Sequence, residues 1–155
     1  MENALLTIVD VLNFGCVAFL WWFTIKNYND LPQRIPVHFD LEGKPDRFGS
    51  KIYAFLMPLL GILMYLLFMF ITKHPEDSNF PVEITEQNQE AQFLIMKIAL
   101  RILFILLAMI FLNIQDYTFR YSVNENAKPR IPMIVAILCV VGFVPLLLFI
   151  THLFK

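Results

Sequence analysis

The sequence predicts an all-α membrane protein, a four-transmembrane-helix bundle with a structured, partly extended loop between helices 1 and 2. Two observations lead to this fold class. Hydrophobic residues make up 58% of the 155 residues, whereas soluble domains average about 45 to 50% apolar residues. The apolar residues also gather in four runs, each long enough to meet the roughly 17 to 25 residues that a helix needs to cross a bilayer. Residues 1–155 are therefore expected to form a single integral membrane domain.

Two of the runs are free of charge. Residues 52–72 and residues 131–154 contain no Asp, Glu, Lys or Arg, which is typical of transmembrane helices. Pro132 suits the first turn of the fourth helix, because the N–H that proline lacks would be unpaired there. The runs also lack the alternation of a membrane barrel strand, which is about half as long. Both runs therefore predict helices.

The other two runs have charged interruptions. The first, residues 5–25, contains Asp10, and the third, residues 93–114, contains Lys97 and Arg101. At ~1.5 Å of rise per residue, Asp10 and Lys97 should lie at similar depths below one membrane face. Asp10 is thus expected to pair with Lys97 or Arg101. Two interpretations stay open, a structural pair whose cations reach toward the interface and a proton or ion path.

The cations of the third run belong to a longer polar stripe. Glu86, Glu90, Lys97 and Arg101 follow one another at spacings of 4, 7 and 4 residues, which places them along one side of a helix. We expect this stripe to face the interior of the bundle, because lipid-facing charges are costly.

The first run is expected to remain in the mature protein. Its start holds only Met1 and Glu2 and so lacks the basic region of a signal peptide. The run also exceeds the usual signal-peptide core of about 7 to 15 residues, and no small-residue cleavage site follows it.

Basic residues are distributed unevenly between the two expected membrane faces. The loops after the first and third helices hold eight of the twelve Lys and Arg residues. The positive-inside rule therefore predicts that both loops are cytoplasmic and that both termini lie outside. The net charge of −1 gives no indication of nucleic-acid binding.

The loop of residues 26–51 contains features of an ordered segment. Leu31 and Ile35 each precede a proline, which disfavours the helical conformation, so this part of the loop should run extended. Further on, Lys44-Pro45-Asp46 fits a turn with proline at its second position. Ser50 is a suitable N-cap for the second helix.

A short amphipathic strand is predicted at residues 37–42, where apolar and polar residues alternate. One side carries Val37, Phe39 and Leu41, and the other carries His38, Asp40 and Glu42. We expect the apolar side to pack on the helix ends and the polar side to face water or a ligand. Such a loop would act as a lid or a docking element.

The order of residues in this loop resembles a known family. The chain reads Leu-Pro-x-x-Ile-Pro-x-His-Phe from Leu31 to Phe39, then Gly43, Pro45-Asp46, Gly49-Ser50-Lys51 and a helix containing Pro58. This pattern resembles the bacterial membrane domain of unknown function 1648, which also forms the N-terminal part of SdpI-like immunity proteins. The segment of residues 79–92 is similar to one that members carry before their third helix.

The resemblance implies a multi-pass protein of the bacterial cytoplasmic (inner) membrane. SdpI-like members protect against a secreted, membrane-active toxic peptide, and those members continue into a second membrane region. The implied role is therefore non-enzymatic binding or immunity, in which loop 26–51 recognises a peptide, a lipid or a membrane-protein partner. The residues expected to shape or fix that surface are Leu31, Pro32, Ile35, Pro36, His38, Phe39, Asp40, Asp46 and Lys51.

Two other functions stay open. The protein could be a small transporter or ion-translocating subunit, built as a homo-oligomer, that uses the intramembrane charges Asp10, Lys97 and Arg101. An intramembrane enzyme or metal protein that uses His38 ranks last, because no second catalytic group is evident.

No cofactor, metal or catalytic residue is predicted. The sequence lacks the common signatures of phosphate loops, metalloproteases and serine hydrolases. Cys16 and Cys139 each fall near the middle of a run, where we expect them to behave as small apolar residues. His38 with Asp40 and Glu42 lacks a recognisable metal-site spacing, so a hydrogen-bonded anchor is favoured for His38 over a metal ligand.

Overall fold

Four long helices form the frame of the protein. The computed structural model describes residues 2–40 and 42–155. Within these ranges the helices are α1 Glu2–Tyr28, α2 Leu56–Lys73, α3 Gln89–Val123 and α4 Met133–Leu153. All four helical segments are long and apolar enough to cross a membrane. The prediction of an all-α membrane protein with four spanning helices is therefore confirmed.

The third helix is longer than the apolar run that predicted it. α3 has 35 residues and a length of about 50 Å at 1.5 Å per residue, whereas the hydrocarbon core of a bilayer is about 30 Å thick. The extension beyond residue 114 is polar and aromatic, and several of its side chains are buried against the rest of the protein. These contacts hold the helix together where the apolar pattern stops. The end of α3 therefore forms a platform at one membrane face.

The start of α3 corrects one expectation about the polar stripe. Glu86 lies in a turn before the helix, which begins at Gln89. In that turn Asn88 Oδ1 accepts from the backbone N–H of Thr85 at 2.8 Å, and Asn88 Nδ2 donates to the Glu83 carbonyl at 2.9 Å. These bonds hold the chain in a non-helical conformation. The helical stripe therefore starts at Glu90.

The loop between α1 and α2 is a β-hairpin, which corrects the prediction of one strand at residues 37–42. β1 spans Arg34–Phe39 and pairs antiparallel with β2, Pro45–Ser50. β1 begins earlier than predicted because β2 supplies partners for its backbone, and the pairing already includes Arg34 and Ser50. Leu41, which was expected on the apolar side of the strand, lies outside the described residues.

The hairpin turn lies before Pro45 and not around it. Asp40 and Lys44 close the turn through a backbone hydrogen bond of 2.9 Å, and Asp40 Oδ1 accepts from the Lys44 N–H at 2.7 Å. Gly43 has a φ of 82°, a conformation that favours glycine. Pro45 is instead the first residue of β2, a position where a strand tolerates the missing N–H.

A short 3₁₀ turn, Lys51–Phe55, joins the hairpin to α2. The Ser50 side chain accepts a hydrogen bond from the Ile52 N–H and caps this turn. Ser50 is therefore a capping residue, as predicted, but of this turn and not of α2, which begins one turn later than expected, at Leu56, after Phe55. α1 likewise continues three residues past the predicted end, to Tyr28.

A buried amide joins three of these elements. Gln115 on α3 is 2% exposed. Its Nε2 donates to Thr24 Oγ1 on α1 at 2.9 Å and to the Ala54 carbonyl in the 3₁₀ turn at 2.8 Å. An unpaired polar group is costly in an apolar interior, so these bonds fix α1 and the entry to α2 against α3.

The fourth helix packs against α3 and leaves much of its own surface exposed. Two polar side chains of α3 hold it near its ends. Gln92 Nε2 donates to the carbonyls of Thr151 and Phe154, both at 2.9 Å, and Asn113 bonds both the N–H and the carbonyl of Ile131, the latter at 2.9 Å. Of the α4 residues, Ala136 and Thr151 are buried. α4 therefore lies at the edge of the bundle.

Replacing Gln115 with leucine should destabilise the protein. The change removes the amide and leaves the Ala54 carbonyl and the Thr24 hydroxyl without this partner, which should lower the free energy of unfolding by about 1 to 3 kcal/mol. Denaturant titration in detergent micelles measures the loss. Gln87→Leu, at an exposed residue, is the control and should stay within about 0.5 kcal/mol. Equal stabilities of the two variants would contradict the role given to Gln115.

Candidate recognition surface

Aromatic packing and one hydrogen bond hold the hairpin on the end of α3. The Phe39 ring lies 4.7 Å from the Tyr117 ring and 6.4 Å from the Tyr121 ring, centroid to centroid. The Tyr117 hydroxyl donates to the carbonyl of Gly43 at the hairpin turn. Tyr117 is itself 3% exposed. Both the turn and the strand are therefore anchored to the same helical face.

The apolar residues predicted for the recognition surface lie mostly beneath the hairpin. Leu31 and Ile35, 6% and 1% exposed, form a buried cluster with Ala54 and Phe119. Pro36 is also buried, whereas Pro32 is exposed. The hairpin is therefore held against the helices by the buried side chains of Leu31, Ile35 and Pro36. Its solvent-exposed side is formed by other residues.

The polar residues predicted for this surface have separate partners. His38 Nδ1 lies 2.6 Å from Asp46 Oδ1 across the hairpin, and both side chains are about half exposed, at 58% and 50%. Asp40 closes the turn with Lys44. Lys51 Nζ lies 4.8 Å from the centroid of the Tyr28 ring, a cation–π contact. The structure thus brings His38 and Asp46 together, whereas Asp40 and Lys51 are engaged elsewhere.

His38 lies outside any potential metal cluster found among the described residues. A group of side chains with ligand-like spacing occurs instead in the turn after α2, at His74, Glu76 and Asp77. All three are exposed, and exposed groups of this kind are common on protein surfaces.

A cleft opens between the hairpin turn, the end of α3 and the α3–α4 loop. Its volume is about 750 Å³, and we call it the hairpin cleft. Tyr117 and Tyr121 on α3 line one side. Its charged lining residues are Glu42, Lys44, Glu125 and Lys128. The cleft thus combines aromatic surface with charges of both signs.

The residues predicted for the recognition surface all belong to loop 26–51, whereas the lining of the hairpin cleft also includes residues of the α3–α4 loop. One signal was present in the sequence. Tyr117 and Tyr121 are spaced by four residues, so they share a helical face. Their contact with Phe39 could not be read from that spacing, because it depends on how the hairpin folds back.

The intramembrane charges form one ion pair with two contacts. Arg101 Nε lies 2.7 Å from Asp10 Oδ1, and Arg101 Nη2 lies 3.0 Å from Asp10 Oδ2. The Arg101 side chain is 13% exposed and that of Asp10 is 46% exposed. Arg101 Nη1 also donates to the Lys97 carbonyl at 3.0 Å, whereas the Lys97 side chain makes no ion pair with the described residues. Arg101 is therefore the partner of Asp10.

Removing the carboxylate of this pair should cost more stability than removing the neighbouring lysine. Asp10→Asn leaves the largely buried Arg101 without its counter-ion, but Asp10 itself is about half exposed, so the loss should be smaller than for a fully buried pair, at about 1 to 2 kcal/mol. The control Lys97→Gln removes no ion pair and should stay within about 0.5 kcal/mol. Unfolding in detergent micelles measures both variants. A similar loss in both would show that the pair is not a stabilising contact.

Fold and composition together define a multi-pass membrane protein. Residues 15–62, which include the second half of α1, the hairpin and the start of α2, match the family described as Domain of unknown function (DUF1648). The resemblance of residues 31–58 to the domain 1648 family is thereby confirmed.

One curated relative and the solved structures complete the comparison. A protein of Archaeoglobus fulgidus, described as an uncharacterized protein, is 33% identical over 78 residues. The match covers 45% of this chain and 43% of the relative, so the chain spans less than half the length of the curated protein that it matches. No solved structure matches. Similarity therefore supports the domain assignment around the hairpin and reaches an archaeal protein as well.

Proposed function

We propose that the protein is a non-enzymatic recognition protein of the bacterial cytoplasmic membrane, with an SdpI-like immunity role. In this function the hairpin cleft binds a membrane-active peptide and keeps it from the bilayer, which requires the hairpin to lie on the outer membrane face, opposite to the side that the positive-inside rule predicts. The observation that carries the proposal is the cleft of about 750 Å³ beside a hairpin that is anchored to α3. Ligand sites of proteins commonly have volumes of about 300 to 1,000 Å³.

The composition of the cleft supports a peptide ligand. Tyr121, which is partly exposed, offers a rigid aromatic surface at little entropic cost, which suits protein recognition. Glu125 and Lys128 on the α3–α4 loop, with Glu42 and Lys44 at the hairpin turn, supply charges of both signs. An amphipathic peptide presents apolar, cationic and anionic groups along one chain. Such a ligand could use the aromatic and the charged parts of the lining together.

The chemistry of the lining supports binding over catalysis. The cleft residues within the described ranges include tyrosines, lysines and carboxylates, but no Ser, Thr, Cys or His. The described lining thus lacks the hydroxyl or thiol nucleophile with a histidine base that the common hydrolases use. A protein that retains a toxic peptide at the membrane surface needs no such pair.

The immunity role itself rests on the resemblance of the loop. The hairpin lies within the residues that match the DUF1648 family, and the SdpI-like proteins, which this loop resembles, protect against a secreted toxic peptide. The hairpin is also the part of the chain whose turn forms one wall of the cleft. The region of family similarity therefore contributes one wall of the candidate ligand site, residues 42–45, while the other lining residues come from α3, the α3–α4 loop and the start of α4.

A challenge experiment tests this function. A sensitive bacterial host that produces the protein is exposed to a panel of helical, membrane-active peptides, and the lethal concentration of each is measured. Production of the protein should raise the lethal concentration of at least one peptide. The double variant Glu125→Lys and Lys128→Glu should abolish the protection, because it moves both charges within the cleft. Lys73→Glu, an exposed residue at the end of α2, is the control and should protect as the unchanged protein does.

The same protein in reconstituted vesicles separates recognition from transport. The bidentate Asp10–Arg101 pair is the observation that favours a transporter, and ion flux across vesicles is its readout. The recognition function is supported if the double variant of Glu125 and Lys128 loses the protection and the unchanged protein shows no ion flux. A flux that Asp10→Asn abolishes, with no protection against any peptide, would favour the transporter and contradict the immunity role.

A further inference from the structure

A groove runs along the outside of the bundle between α1, α3 and the start of α4. Its volume is about 360 Å³, and Phe19, Phe23, Met109 and Leu112 form its apolar walls. The groove exists because α4 packs against α3 and leaves this part of α1 uncovered. These four residues lie within the apolar part of the spanning helices, so an acyl chain of the bilayer can enter from the side. We call it the lateral groove.

The lateral groove ends in a cavity with charged lining residues, at the membrane face where the hairpin lies. This cavity has a volume of about 580 Å³ and shares Phe23, Asp116 and Arg130 with the groove. The charged lining residues of groove and cavity together are Asp30, Asp116, Arg120 and Arg130. Apolar and charged surface thus follow one another along the helix direction, as the tail and headgroup of a lipid do.

Two guanidinium groups in the cavity share one carboxylate. Arg120 Nε and Arg130 Nε donate to Asp116 Oδ2 at 2.8 and 3.0 Å. Arg120 Nη2 is 2.8 Å from the same oxygen but is buried and lacks a hydrogen bond of acceptable geometry. The Arg130 side chain is 71% exposed, and a guanidinium carries five N–H donors. One positive charge and several donors are therefore left for an anionic group.

A free carboxylate lines the same cavity. Asp30, just beyond the end of α1, is exposed and makes no ion pair with the described residues. Its negative charge balances the excess positive charge of the two arginines around Asp116. The cavity is therefore neutral overall but divided, with an anion-binding part and a cation-binding part.

We propose that the lateral groove and its cavity bind one phosphatidylethanolamine molecule. One acyl chain lies along Phe19, Met109 and Leu112, and the phosphate accepts hydrogen bonds from Arg130 and Arg120. The primary ammonium of the headgroup pairs with Asp30. This site lies on a different face of α3 from the hairpin cleft, with which its cavity shares Ala127 alone among the lining residues of the described chain.

The charge pattern distinguishes this lipid from other common phospholipids. Phosphatidylglycerol carries the phosphate but no cation, so Asp30 would remain unpaired beside it. Phosphatidylcholine carries a quaternary ammonium that has no N–H to donate to a carboxylate. Charge-assisted hydrogen bonds are roughly twice as strong as neutral ones, so the ammonium of phosphatidylethanolamine should decide the preference.

Native mass spectrometry of the full chain in detergent micelles tests the proposal. The three lipids, with matched acyl chains, are added singly, and the fraction of protein with one bound lipid is measured. Phosphatidylethanolamine should bind about tenfold more tightly than the other two, the ratio that one such contact of 1.4 kcal/mol gives. Equal binding of all three lipids would overturn the proposal.

Variants locate the lipid on the protein. Asp30→Asn should remove the preference for phosphatidylethanolamine over phosphatidylglycerol, whereas Asp77→Asn, an exposed carboxylate at the opposite membrane face, should keep it. Met109→Trp should weaken binding of all three lipids by filling the groove. Arg130→Gln should do the same by removing a phosphate partner, with Arg47→Gln on the exposed side of the hairpin as its control.

Two outcomes would contradict the proposed lipid site. One is a preference for phosphatidylethanolamine that survives in the Asp30→Asn variant. Asp30 is exposed, so this substitution should leave folding unchanged. The other is competition by soluble phosphoethanolamine at the concentration of the lipid, which would show that the cavity binds a free headgroup compound and not a membrane lipid.

Discussion

The hydrogen bonds of Gln115 are the contact on which the arrangement of the helices and the hairpin depends. One amide nitrogen bonds Thr24 on α1 and the Ala54 carbonyl at the entry to α2. The hydrocarbon of a bilayer offers no alternative partner for such groups. The bond to Ala54 also sets where the chain leaves the hairpin, because Ala54 lies four residues after the end of β2. The position of the hairpin above α3 therefore follows from a contact inside the bundle.

Polar residues of α3 likewise determine where the protein can bind other molecules. Gln92 and Asn113 hold the two ends of α4 against α3, which leaves the lateral groove open beside α1. Tyr117, on another face of α3, anchors the hairpin turn and so helps to form the hairpin cleft. A single long helix thus separates a proposed lipid site from a proposed peptide site. Each site is built from contacts that also stabilise the fold.

The sequence predicted those features that depend on local pattern. The four spanning helices follow from uninterrupted apolar runs, and the Ser50 cap follows from one residue type at one position. The second strand was missed because Pro45–Ser50 shows no alternation of apolar and polar residues, and strand pairing is not a local property. The length of α3 was underestimated because residues 115–123 are held helical by burial. The choice of Arg101 over Lys97 as partner of Asp10, and the contact of Tyr117 with Gly43 at a separation of 74 residues, both require the packed helices.

A distance measurement between the hairpin and the α3–α4 loop tests most directly whether the hairpin is anchored on α3. Spin labels are attached at Lys44→Cys and Lys128→Cys, two exposed positions that line the hairpin cleft, in a protein with Cys16→Ala and Cys139→Ala. Pulsed electron paramagnetic resonance in lipid nanodiscs then gives the distribution of distances. An anchored hairpin predicts one narrow distribution without any ligand. A broad distribution would show a mobile loop and contradict a preformed cleft.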